Sequence, residues 1–208
     1  MRARSGFLAI VIMLCLVAAD PALAHHLMGG RMPATLAQGL LSGLGHPVIG
    51  LDHLATIVAV GCLAAGQRLG AGLVIGFVVA MAAGVAAHVQ GVTLAGADMM
   101  TALGVIVLGA VLLRGGGFAF GPAAAIFAVA GLLNGYAFGE SIFGAERAPL
   151  YAYLAGLAAI QAAVGIAAMM AARTLRDAGS DPAPLRLVGG GIAGIGIALA
   201  AAQILPAT

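Results

Sequence analysis

The 208-residue chain has no lysine and no tryptophan, and only 8% of its residues are charged. Without lysine there is no P-loop lysine for ATP, so energy for any work must come from a gradient or another subunit. Nine arginines stand singly between apolar runs, which excludes a nucleic-acid footprint despite the net charge of +2. The two cysteines supply no disulfide framework: Cys15 falls in an N-terminal leader, and Cys62 is then alone. An H-E-x-x-H pattern is also missing, so a metal-dependent hydrolase within the membrane ranks last.

What the chain has is apolar length. Hydrophobic residues make up 62% and glycine contributes 33 positions, for a mean hydropathy of +1.13. Soluble domains leave roughly a quarter of their residues charged. The composition therefore predicts an all-α membrane protein, a bundle of about six transmembrane helices behind a cleaved signal peptide. Arg2 and Arg4 precede "GFLAIVIMLCLVAA", Asp20 and Pro21 end that run early, and "ALA" at 22–24 gives the small-x-small cleavage pattern. The expected division is a signal peptide at 1–24 and a single integral membrane domain at 25–208, with His25 as the new N-terminus.

After "HHLMGGRMP" and the apolar stretch "ATLAQGLLSGLG", Pro47 suits the first turn of a helix, where its missing N–H costs nothing. The predicted spans are 47–65, 71–90, 99–113, 117–139, 150–172 and 187–205, the third being short. A cleaved signal puts the mature N-terminus outside. Arg68, Arg114, Arg173, Arg176 and Arg186 then all fall in inner connections, as the positive-inside rule requires, and only Arg31 and Arg147 lie outside. Both termini of the mature chain are expected on the periplasmic side of an inner membrane. Glycines four apart, as in "GLVIGF" and "GLLNGYAFG", let helices pack closely in lipid.

The polar residues gather toward the outer side. In "HPVIGLDHLATIVAVG", Asp52 counts as about the sixth residue of a helix begun at Pro47, beyond the turn where the dipole helps an anion. Asp52 and His53 form a plausible half-shell for a divalent transition metal, the competing role being an Asp–His hydrogen bond that ties helices together. His46 and His53 would stand about 10 Å apart along a continuous helix, too far to share an ion, so His46 either lies just outside the helix as an approach group or cap, or serves a second site. His88 is either a ligand or satisfied by a backbone carbonyl. Glu140 is either a ligand or a partner of Arg147, with Tyr136 on its face. The freed amine of His25 with the imidazoles of His25 and His26 offers one more metal-capturing group. Gln161 reads as interhelical glue.

These motifs resemble the HupE/UreJ family of nickel/cobalt permeases. "HPVIGLDHLATIVAVG" looks like its first signature and "GLLNGYAFGESIFGAE" its second. The resemblance implies a six-helix, signal-cleaved inner-membrane protein that takes up Ni²⁺ or Co²⁺, with His46, Asp52 and His53 matching the first motif and Glu140 the second. Asn134 departs from the family, which commonly has histidine there, and an amide oxygen is a weaker metal donor than an imidazole. No prosthetic group is expected: the partners are the lipid bilayer and the transported ion, and a homo-oligomer is open. The alternative is a redox protein holding haem between helix histidines such as His53 and His88.

Overall fold

Seven helices and no strand are found among the described residues, 32–177 and 182–205, of the computed structural model. The expected signal peptide, His25 and His26 lie outside the described residues. The helices are α1 (Leu36–Ile49), α2 (Leu51–Ala64), α3 (Gly70–Val89), α4 (Ala97–Leu113), α5 (Phe120–Glu140), α6 (Arg147–Asp177) and α7 (Ala183–Ile204).

The first span does not start at Pro47. Pro47 lies inside α1, which begins earlier because "TLAQ" is a capping box: the Gln38 amide donates to Thr35 Oγ1 (3.2 Å) and Gln38 Oε1 accepts from the Ala34 amide (2.9 Å). The chain breaks instead at Gly50. Pro47 cannot donate to the Gly43 carbonyl, so the last turn of α1 is already weakened. Gly50, extended at φ −72 and ψ 109, then closes α1 through its amide to the His46 carbonyl (3.0 Å). Its own carbonyl accepts the first bond of α2, from the Leu54 amide (2.9 Å). The two helices meet at 77° as one broken apolar segment.

Four helices (α3, α5, α6 and α7) are long and apolar enough to cross a membrane, or five spans if the broken pair is one. The remaining helix, α4, has 17 residues, about 26 Å at 1.5 Å per residue, somewhat under a hydrocarbon core of about 30 Å. Large apolar side chains such as Val79, Leu103 and Val129 face outward while His46, His53, Thr56, Thr101, Asn134 and Gln161 are buried. An apolar exterior, with the few membrane-depth polar side chains turned inward into an apolar core, is the arrangement of a multi-pass membrane protein.

Close helix approaches fix the relative directions. Along α3 and α5, Gly131 meets the Phe77 carbonyl and Gly135 that of Met81, so the register rises together and the helices are parallel. Gly109 of α4 lies against Ala193 and Gly196 of α7 against Ile106, an antiparallel pair. Gly39 and Gly43 of α1 meet Pro149 and Tyr153, and Gly61 of α2 meets Gly165, so the broken pair runs parallel to the long α6. These directions are those of a chain that reverses at every connection.

One end of the bundle collects the arginines. Arg173 donates to the Gln67 carbonyl (3.3 Å), the Gln67 side chain donates to the Phe118 carbonyl (2.8 Å), and the guanidiniums of Arg176 and Arg186 lie beside Gly116 and Gly115. Asp98 and Glu140 stand at the other end, at the start of α4 and the end of α5.

Candidate functional site

A cavity of about 530 Å³ opens at the carboxylate end, lined by His46, Asp52, His53, Asp98, Glu140, Ser141 and Gln203 together with Ala102, Ala137, Leu199 and Ala202. It thus brings together four of the expected site residues, His46, Asp52, His53 and Glu140, from α1, α2 and α5. Three carboxylates and two imidazoles line it, and no arginine does.

The break at Gly50 builds the site. It folds the end of α1 back over the start of α2, so the His46 and His53 rings approach to 5.7 Å between centroids. The separation of about 10 Å drawn from an unbroken helix is therefore wrong, and His46 lies within α1 rather than on an unwound approach. The break also moves Asp52 into the first turn of α2. There the helix dipole favours its carboxylate, a contribution that the sequence reading denied it.

Both imidazoles are buried and held at Nδ1. His46 Nδ1 lies 3.3 Å from Ser141 Oγ and 3.4 Å from Tyr153 OH, two hydroxyls 3.1 Å apart that also reach the Phe138 carbonyl (2.9 and 3.2 Å). His53 Nδ1 lies 2.7 Å from Asn134 Oδ1. The Phe138 ring packs on His53 at 3.9 Å between centroids and edge-on to His46 at 5.2 Å. His53 Nε2 faces Asp52 Oδ2 at 3.6 Å, beyond hydrogen-bonding range.

The other candidates are placed as follows. His88 does not line the cavity; its Nδ1 donates to the Tyr136 carbonyl (2.8 Å) and its ring lies 4.5 Å from that of Tyr136. His53 and His88 therefore do not face one another across a common cavity, as a haem would require. Glu140 is exposed, and no ion pair with Arg147 is found among the described residues. Tyr136 does not serve Glu140: its hydroxyl pins the α3–α4 connection, donating to the Val92 carbonyl (2.9 Å) and accepting from the Leu94 amide (2.8 Å). Asn134 points at His53 and is absent from the cavity wall. Among the described residues the buried Gln161 side-chain nitrogen has no hydrogen-bond partner, so the interhelical bond expected of it is not found there.

Sequence reasoning passed over Ser141, Tyr153, Phe138 and Gln203. A tyrosine deep in an apolar helix needs a partner for its hydroxyl, and that signal pointed to Tyr153. Phe138 carries no polar signal at all.

Among the described residues no three His, Cys, Asp or Glu side chains are close enough to hold a metal ion together. What exists is a two-donor pair, Asp52 and His53, on the wall of a cavity of about 530 Å³. Six waters occupy about 180 Å³ at about 30 Å³ each, so a hydrated divalent ion fits the cavity with room to spare. Two ligands about 2.1 Å from one metal stand about 3.0 Å apart in an octahedron and about 3.4 Å in a tetrahedron. The 3.6 Å between Asp52 Oδ2 and His53 Nε2 has only a few tenths to close.

Comparison with known proteins adds two findings. A profile of the family described as "HupE / UreJ protein" matches residues 12–199. "Protein HupE" of Rhizobium leguminosarum bv. viciae is 30% identical over 183 residues, covering 86% of this chain and 91% of that protein. No solved structure matches.

Proposed function

The chain belongs to the HupE/UreJ family, which is linked to nickel and cobalt uptake, and from that membership we propose that it is a secondary permease for Ni²⁺ or Co²⁺. The observation that carries the reading is the Asp52–His53 pair, two donors 3.6 Å apart on the wall of a cavity that no arginine lines. A borderline divalent ion suits mixed imidazole and carboxylate donors. With two protein donors the ion keeps part of its water shell, which lets it leave as well as bind.

In this reading the cavity opens to the periplasm, the arginine-rich end faces the cytoplasm of an inner membrane, and α4 counts as the sixth crossing. Asp98 and Glu140 stand at the mouth as cation-attracting charges, His46 receives the ion, and Asp52 with His53 strips part of its hydration. No prosthetic group has a role in these steps. The chemistry is ligand exchange on the ion, and energy comes from a gradient.

Uptake of radioactive Ni²⁺ and Co²⁺ by proteoliposomes, with and without a proton gradient, tests the proposal. Asp52→Asn and His53→Ala are expected to lower uptake more than tenfold at unchanged amounts of inserted protein. Normal uptake by both variants would reduce the pair to a structural contact.

A further inference from the structure

We propose that Asn134 is a positioning residue that sets the tautomer of His53, so that the imidazole turns its Nε2 lone pair toward the transported cation. The proposal rests on the permease reading above. Asn134 and His53 are 3% and 5% exposed, so water does not compete for the contact between Asn134 Oδ1 and His53 Nδ1.

The amide has one workable orientation. Asn134 Nδ2 donates to the Ala130 carbonyl one turn back on α5 (3.1 Å), and Oδ1 faces His53 Nδ1 (2.7 Å). Flipping the amide would set its oxygen against the Ala130 oxygen, two acceptors face to face, and lose that bond. An amide oxygen only accepts, so Nδ1 of His53 carries the proton. A neutral imidazole has a single N–H, so Nε2 carries the lone pair.

That nitrogen is the one 3.6 Å from Asp52 Oδ2. With the imidazole neutral, two electron-pair donors face each other with no proton between them, an arrangement that a cation completes. The Phe138 ring packs on the imidazole, 3.9 Å between centroids, and hinders a ring flip that would put carbons in the places of the two nitrogens. Without the Asn134 acceptor the proton would be free to sit on Nε2 and bond to Asp52, and the pair would satisfy itself. Asn134 thus supports a ligand from behind, the role that carboxylates and carbonyls fill behind metal-bound histidines.

The test uses the full chain in nanodiscs with ¹⁵N-labelled histidine, His53 assigned by loss of its signals in His53→Ala. In the metal-free protein with neutral imidazoles, His53 is expected to show a protonated Nδ1 and a lone-pair Nε2. Asn134→Leu, close in size but without an acceptor, should move the proton toward Nε2 and weaken Ni²⁺ binding about tenfold. Asn134→Asp loses the donor to Ala130 but keeps an oxygen facing His53, so the proton should return to Nδ1 in the spectrum, a readout that a mere packing role would not move. A wild-type His53 protonated at Nε2, or Asn134→Leu with unchanged tautomer and Ni²⁺ affinity, would overturn the proposal. Absence of Ni²⁺ and Co²⁺ binding by the wild-type protein would instead overturn the permease reading, while the metal-free spectrum still decides what Asn134 does to His53.

Discussion

The His46 and His53 rings stand edge to face, 5.7 Å between centroids, across the helix break at Gly50. The break is a functional element, because two donors seven positions apart in sequence reach one cavity only where the chain turns.

Gly50→Ala tests that dependence. The backbone there, φ −72 and ψ 109, is open to alanine. An added Cβ would nevertheless lie 2.7 Å from His53 Cδ2 and 3.2 Å from Asp52 Oδ1, so both side chains must shift. The half-saturation concentration for Ni²⁺ uptake should rise several-fold, with a stability cost of about 1 kcal/mol, at the low end of overpacking. Kinetics per unit of inserted protein together with a thermal melt measure both. Wild-type kinetics would mean that the position of His53 is not critical.

A contrasting prediction concerns Gly135, where a Cβ would run into the Met81 carbonyl of α3. Backbone cannot rotate away as a side chain can, so Gly135→Ala must push α3 and α5 apart. The expected cost is about 1–3 kcal/mol, read as a lower melting temperature and less inserted protein. Uptake per inserted molecule should keep its half-saturation concentration. A change in that constant with normal abundance would show that the α3–α5 spacing sets the site directly.

His88→Ala separates a structural histidine from a ligand. The substitution removes a hydrogen bond to the Tyr136 carbonyl and the contact with the Tyr136 ring, for a loss of about 1 kcal/mol. Half-saturation should stay at the wild-type value for both Ni²⁺ and Co²⁺. A several-fold rise would place His88 on the ion's route in spite of its distance from the cavity wall.

Apolar runs made the helical membrane character legible, and His46, Asp52, His53 and Glu140 were readable as a group because polar side chains in lipid need a reason to be there. The break at Gly50 was not. Proline at the N-terminal turn is the commoner choice, so Pro47 pointed to a helix start, while the capping box in "TLAQ" marked the true one. Once the helix was taken as continuous, His46 and His53 could not meet and Asp52 lost its dipole. The role of Asn134 was hidden for a different reason. A contact between residues 81 positions apart leaves no trace in local spacing, so the sequence marked Asn134 as a departure from the family motif without showing that His53 is its partner.

Asp98 supplies the last prediction. It is exposed in the first turn of α4 and lines the same cavity as the His–Asp pair of α2. A single negative charge about 7 Å from a divalent ion in water is worth about 1 kcal/mol, enough to concentrate the ion several-fold at the mouth. Such attraction is screened by salt, the Debye length falling from about 10 Å at 0.1 M to about 3 Å at 1 M. Direct coordination is not screened in that way. Asp98→Asn should therefore raise the half-saturation concentration a few-fold at low ionic strength, and the difference from wild type should vanish in high salt. Uptake measured across a series of salt concentrations decides the matter: a defect that persists undiminished at 1 M would make Asp98 a ligand, and the attracting role argued for it would be wrong.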